Sequence, residues 1–216
     1  MITAALFDYD GTIADTDAIH HWCWNESLAR FGLSIDDAFY SAYCSGTTSN
    51  EIARIIVKFN PSVLVTAIEL ALEKDRHFED WISSEKIVVM PGVCSTLELL
   101  KQKGVKIGIV TGAPMTAIEK TLKDNQIFDF FQAIITREKV THGKPAPEGY
   151  RLGLEKLETE THLAVSIEDT ISGVLAANAA GMLSIAIPNK YTLSHDFSEA
   201  DFKCDHMKAA CELILK

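Results

Sequence analysis

Two carboxylates, Asp8 and Asp10, stand two residues apart behind the largely apolar run 2–7 and just ahead of Gly11-Thr12. A short apolar run bounded by a turn signal reads as a buried strand. If strand alternation continues, both acids fall on one side, and the glycine lets the chain turn away at once. Such a pair can hold a hard cation while one acid attacks and the other moves a proton. An Asp-Gly turn after a strand explains the same residues without any chemistry. Three further places carry polar groups of a matching kind. Thr111-Gly112 offers a hydroxyl and an unobstructed backbone N–H for a phosphate oxygen, or simply a helix cap before Pro114. Lys144 offers a cation, or an ordinary solvated loop lysine. Glu168-Asp169 offers oxygen ligands that complete a magnesium site with Asp8, or an acidic helix start favoured by the helix dipole.

The succession of elements makes one site of these four places. Strands are expected over 2–7, 105–110, 133–136, 163–167 and 183–187. Helices are expected over 92–103, 115–123, 147–157 and 171–180, with a last one over 205–215. Alternating strands and helices imply an α/β, Rossmann-like core: a mostly parallel sheet with helices on both faces. In such sheets ligands bind beyond the carboxyl ends of the strands, where all four places fall. Residues 16 to about 85 show helices only. A helix over 16–31 stops at Gly32, Ser34 and Asp37 resemble a cap, and a Thr48/Glu51 capping box opens a helix over 52–59. Asn60-Pro61 is expected to start another, running to about 82. This block reads as an inserted all-helical cap domain, residues 16–85, within a core made of 1–15 and 86–216.

Composition narrows the class of function. The chain has 216 residues, 47% hydrophobic and 23% charged, enough for a sizeable core. Its net charge of −10 argues against nucleic acid, which demands a basic face. The same charge repels anions at long range, so an anionic substrate needs a local cation such as Lys144. No apolar run approaches the roughly 20 residues that span a bilayer, and the first residues lack a signal-peptide pattern. A cytoplasmic location is expected, with no membrane partner and no obligate protein partner evident. Five scattered cysteines without a Cys-x-x-Cys pair read as reduced thiols, and Cys204 with His206 lacks the further ligands that zinc needs.

In this order the residues resemble the haloacid dehalogenase-like hydrolase superfamily over nearly the whole chain. Asp8-Tyr9-Asp10-Gly11-Thr12 matches its first motif, Thr111 the second, Lys144 the third, and Glu168-Asp169 the fourth, with Thr170, Gly173, Ala176, Ala177, Gly181 and Met182 following. The run Lys144-Pro145-Ala146-Pro147-Glu148 and the helical insertion point to the β-phosphoglucomutase-like branch, most of whose members are phosphatases. The resemblance implies that Asp8 attacks phosphorus and that Asp10 protonates the leaving oxygen, then activates water. It implies Mg²⁺ held by Asp8, the Asp10 carbonyl and Asp169, with Glu168 nearby. It implies a small phosphorylated metabolite as substrate, its phosphoryl group held by Thr111, Gly112 and Lys144. Asp10 favours phosphoryl transfer over dehalogenation, because a leaving halide needs no proton.

The resemblance also places substrate-selecting residues in the cap. His20 stands where β-phosphoglucomutases carry a histidine, and Gly46, Thr47 and Thr48 lie in a matching specificity loop. A mutase needs cations there for a second phosphate, and this chain has Ser45 and Ser49 instead. A missing charge-assisted contact weakens such binding by roughly 1.5–3 kcal/mol. Hydrolysis is therefore expected over phosphohexomutase chemistry. A catalytically silent regulatory relative is the remaining alternative, opposed by the intact catalytic positions.

Overall fold

Residues 4–7 carry no polar side chain and leave no exposed atom, which suits them to the middle of a sheet covered on both faces. In a computed structural model, which describes residues 1–216, they form β1 (Ala4–Phe7). The other strands are β2 (Lys106–Val110), β3 (Ala133–Ile135), β4 (Ala164–Glu168), β5 (Leu183–Ala186) and β6 (Phe202–Lys203). All pair in parallel, in the order β3-β2-β1-β4-β5-β6. Phe7 lies opposite Ile109 on one side and Ile167 on the other, so three neighbouring strands end level. The ladder reaches one residue further, where Asp8 N–H donates to the Ile167 carbonyl at 2.9 Å. The edge strand β6, with only two residues, was not expected; so short a run carries no readable period.

The chain divides into two compact units, Thr16–Ile87 and the combination of Met1–Asp15 with Val88–Lys216. The second boundary falls two residues beyond the expected one. The unit Thr16–Ile87 contains no strand. Its helices are α1 (Asp17–Ala29), α2 (Asp37–Phe39, running into a π-helical turn over Tyr40–Cys44), α3 (Ser49–Phe59) and α4 (Ala67–Ser84). Gly32, at φ +67°, turns the chain after α1. The Thr48/Glu51 capping box is present at α3. Two expected helix starts are corrected. The cap before α2 is Asp36, whose carboxylate accepts from Phe39 N–H at 2.7 Å, rather than Ser34. Likewise α4 does not begin at Pro61. A second capping box, Thr66 with Glu69, satisfies the first-turn N–H groups and sets the start at Ala67. Asn60 ends α3 instead.

In the other unit the helices are α5 (Val93–Gln102), α6 (Met115–Asp124), α7 (Glu148–Lys156), α8 (Ile171–Ala179) and α9 (Met207–Ile214). On one face of the sheet Ala4, Leu6, Val110 and Ile135 pack with Tyr150 and Leu154 of α7 and Ala176 and Ala177 of α8. Ala5, Phe7, Ile107 and Ile109 alternate with them and are buried on the opposite face, where α5 packs on β2 and α9. Burial at roughly 25 cal/mol per Å² of apolar surface makes this two-sided core the main support of the strand ends. All five cysteines are free thiols. No helix is long and apolar enough to cross a membrane.

Candidate active site

Beyond Phe7 the chain cannot continue as a strand. Thr12, Ile13 and Ala14 all turn their N–H groups back on the Tyr9 carbonyl, while Gly11 N–H donates to Ala14 O. Gly11 sits at φ +73°, and a Cβ there would come within 2.3 Å of Asp169 Oδ2. Glycine is thus required both by the backbone and by the acid it faces. This tight turn leaves Asp8 at the end of β1, buried, with Asp10 partly exposed beyond it.

Asp8, Glu168 and Asp169 are all buried, and each offers a ligand oxygen within 4.8 Å of the others. Lys144 reaches them from the loop before α7. Its Nζ lies 2.5 Å from Asp8 Oδ1 and 2.5 Å from Glu168 Oε1. That loop is held by Glu148, whose two carboxylate oxygens accept from Thr141 and His142 N–H at 2.8 Å each. Helix α8 leaves space for Glu168 only because residue 173 has no side chain: a Cβ there would lie 1.9 Å from its carboxyl carbon. Thr170 caps α8 through Gly173 N–H and also reaches Glu168 Oε2 at 3.2 Å.

Electrostatically this is a cluster of buried carboxylates that the Lys144 ammonium enters. Burial drives the Asp8 carboxyl up to about 8; Lys144 opposes the shift, and Glu168 and Asp10 add to it. Burial also works against the Lys144 charge, but Asp8 and Glu168 together outweigh it, and the ammonium holds its proton above the usual lysine range. The donor set is all oxygen, which suits a hard divalent cation such as magnesium.

Thr111 lies buried past β2, with its N–H bonded to the Ile135 carbonyl at 2.9 Å, and its hydroxyl accepts from Ala113 N–H at 3.0 Å. Gly112 beside it is exposed, with open space where a Cβ would stand. Asp8, Asp10, Thr111, Gly112, Lys144, Glu168 and Asp169 all belong to the unit that carries the sheet, and the carboxylates at 8, 168 and 169 converge on one another. His20, Gly46, Thr47 and Thr48 belong to the helical unit. His20 is half-buried on α1, its ring 4.3 Å from that of Phe78. Gly46, at φ +72°, turns the chain before α3, and Thr48 engages its hydroxyl in the cap of α3.

Three contributors to the site escaped the sequence reading. Thr12 Oγ1 donates to Asp169 Oδ1 at 3.0 Å, and Asn189 Nδ2 donates to Asp169 Oδ2 at 2.9 Å. The Tyr150 hydroxyl donates to Glu168 Oε1 at 2.5 Å. Thr12 lies inside the first motif and Tyr150 follows the lysine loop, but nothing in their spacing reveals the distant carboxylate. Asn189 had one signal: it follows the end of β5, where this kind of sheet gathers ligands.

Comparison with known proteins shows the family. The family described as haloacid dehalogenase-like hydrolase matches residues 5–187. Protein CbbY of Cereibacter sphaeroides is 30% identical over 209 residues, covering 93% of this chain and 90% of that protein. Validoxylamine A 7′-phosphate phosphatase of Streptomyces hygroscopicus subsp. limoneus is 28% identical, covering 93% of this chain and 92% of its own. The crystal structure of β-phosphoglucomutase from Clostridium difficile aligns with a TM-score of 0.79 at 27% identity, covering 100% of this chain and 98% of that one. The chain belongs to the haloacid dehalogenase-like hydrolases, in their β-phosphoglucomutase-like branch.

Proposed function

We propose that this protein is a magnesium-dependent phosphatase that hydrolyses the phosphate ester of a small metabolite through a phosphorylated Asp8. The observation that carries the reading is the buried Asp8 carboxylate, held 2.5 Å from the Lys144 ammonium within a cluster of acids. A nucleophilic carboxylate, a cation for the phosphoryl oxygens and oxygen ligands for a metal stand together there.

One carboxylate oxygen of Asp8 bonds to phosphorus as the ester oxygen departs, and Asp10 gives that oxygen its proton. Asp10 then takes a proton from water, whose oxygen attacks the same phosphorus, breaking the bond to Asp8 and releasing inorganic phosphate. Lys144 and Thr111 hold the phosphoryl oxygens, with the N–H of Gly112 beside them. Asp8, Asp169 and the Asp10 carbonyl would hold magnesium, with Glu168 next to them. When bound, that ion supplies charge neutralisation for the transferring group.

The helical unit favours hydrolysis over a mutase reaction. The Ser49 hydroxyl, at a position where a second phosphate calls for a cation, donates to Asp75 at 2.9 Å. Nearby Lys74 is buried and shares its charge with the same Asp75 at 3.4 Å. The name of the validoxylamine phosphate phosphatase supports hydrolysis of a sugar-like phosphate, and the cytoplasm is the location proposed for such chemistry. A panel of phosphorylated sugars, polyols, glycolate and nucleotides, assayed for phosphate release with magnesium and with EDTA, tests the proposal. Release that needs magnesium is expected; no turnover of any member, or turnover indifferent to EDTA, would overturn it.

A further inference from the structure

Glu168 is a buried acid whose charge must be matched by its own neighbours. Its side chain has no exposed surface, and three donors surround it: Lys144 and Tyr150 on Oε1, at 2.5 Å each, and Thr170 on Oε2 at 3.2 Å. Tyr150 is itself fully buried, on the first turn of α7, in one apolar cluster with Leu6 and Val110 of the sheet and Ala176 of α8. Its ring centroid also lies 5.5 Å from Lys144 Nζ. One aromatic side chain thus touches the lysine with its face and the lysine's counter-ion with its hydroxyl. Chain geometry makes this possible, because Lys144 enters from a flexible four-carbon stem whereas Tyr150 is locked by packing.

Resting on the phosphatase reading above, we infer that Tyr150 is a positioning residue for the reaction: its hydroxyl fixes Glu168, and Glu168 fixes the ammonium of Lys144. A lysine held by Asp8 alone would follow that carboxylate. Held at a second point, it keeps its place while Asp8 becomes an acyl phosphate and is regenerated. Groups that orient a reacting charge in this indirect way are worth about 10–100-fold in activity or ligand affinity when removed.

The test is Tyr150→Phe, which removes the hydroxyl and keeps the ring. Against the substrate on which the wild-type enzyme is active, kcat is expected to fall about tenfold with KM within about twofold, the pattern of an interaction realised in the transition state. Orthovanadate, read by calorimetry on the magnesium-loaded protein, is expected to bind about tenfold more weakly. In a double-mutant cycle the effect should vanish when Glu168 is already Gln, because the hydroxyl acts through that carboxylate. Unchanged kcat and vanadate affinity would overturn the inference. So would an undiminished effect in the Glu168→Gln background, or a Tyr150→Phe protein that fails to fold, which would assign the hydroxyl to stability. Absence of turnover in the wild type strikes at the phosphatase reading instead, and the vanadate cycle still decides the role of Tyr150.

Discussion

Lys144 Nζ lies 2.5 Å from Asp8 Oδ1, although the two residues are 136 positions apart in the chain. The lysine belongs to the loop before α7 and the aspartate to the end of β1, so their meeting depends on the level ends of the central strands. A part-buried ammonium joined to two buried carboxylates is costly to desolvate, and breaking it from one side is costlier still, because the partners stay behind uncompensated. Lys144→Met should therefore lower stability by about 3 kcal/mol or more at pH 8. The loss should shrink toward pH 5, where the Asp8 carboxyl, raised by burial, takes up a proton in place of the ammonium. Urea titrations at both pH values measure this. Equal losses at the two would show that the lysine's charge is not what the site needs.

Removal of the nucleophile separates chemistry from folding. Asp8→Asn keeps the size of the side chain and relieves a charge that burial disfavours, so the protein should remain folded. Activity should fall by about 10⁴-fold or more, the scale seen when a covalent nucleophile is lost. Phosphate release and circular dichroism on the same preparation provide the check. Turnover within tenfold of wild type would reassign the attacking group.

Much of this site was legible because its residues sit at element boundaries, where sequence speaks most clearly. Asp8 follows an apolar run and precedes a glycine turn. Asp169 sits between a fully buried strand and a helix capped by Thr170. Alternating strands and helices then brought those boundaries to one edge. Contacts that depend on tertiary approach were not legible. Asn189 finds Asp169 from a loop 20 residues later, and Tyr150 finds Glu168 across the face of the sheet. Within the helical unit local competition sets two helix starts that residue type alone does not. Pro61 is a permissible first helical residue, but Thr66 with Glu69 satisfies more backbone groups, and Asp36 outcompetes Ser34.

Proton demand at Asp8 links stability to pH. Its carboxyl stands near 3.8 when unshifted and is raised to about 8 in the folded, metal-free protein. A raised folded value means that this group's contribution is fully present below about pH 4 and is lost as the pH climbs through 8. Lys144 does not cancel the trend, since its own raised value acts only at far more alkaline pH. Bound magnesium competes with that proton, so its stabilising effect should grow over the same window. Thermal melts with EDTA and with excess magnesium, taken at pH 5.5 and 8, should show the larger magnesium-induced rise in Tm at pH 8. A rise that is the same at both, or larger at pH 5.5, would detach the metal from Asp8.

Gly173 and Gly112 offer a paired test of how tightly the site is built. A methyl group at residue 173 would stand 1.9 Å from the Glu168 carboxyl carbon, whereas one at residue 112 would meet nothing within 4 Å. Helix propensity alone would make Gly173→Ala stabilising by roughly 1 kcal/mol, since the position lies inside α8. The steric conflict should win, because Glu168 is fully buried and already bonded to Lys144, Tyr150 and Thr170, with no open side to retreat to. Gly173→Ala is therefore expected to destabilise by about 1–3 kcal/mol and to reduce phosphate release by displacing Lys144's counter-ion. Gly112→Ala should leave stability within about 0.5 kcal/mol of wild type. Denaturant midpoints of the two variants, measured side by side, decide between crowding and propensity: a stabilised Gly173→Ala protein would mean that Glu168 can vacate its place at little cost.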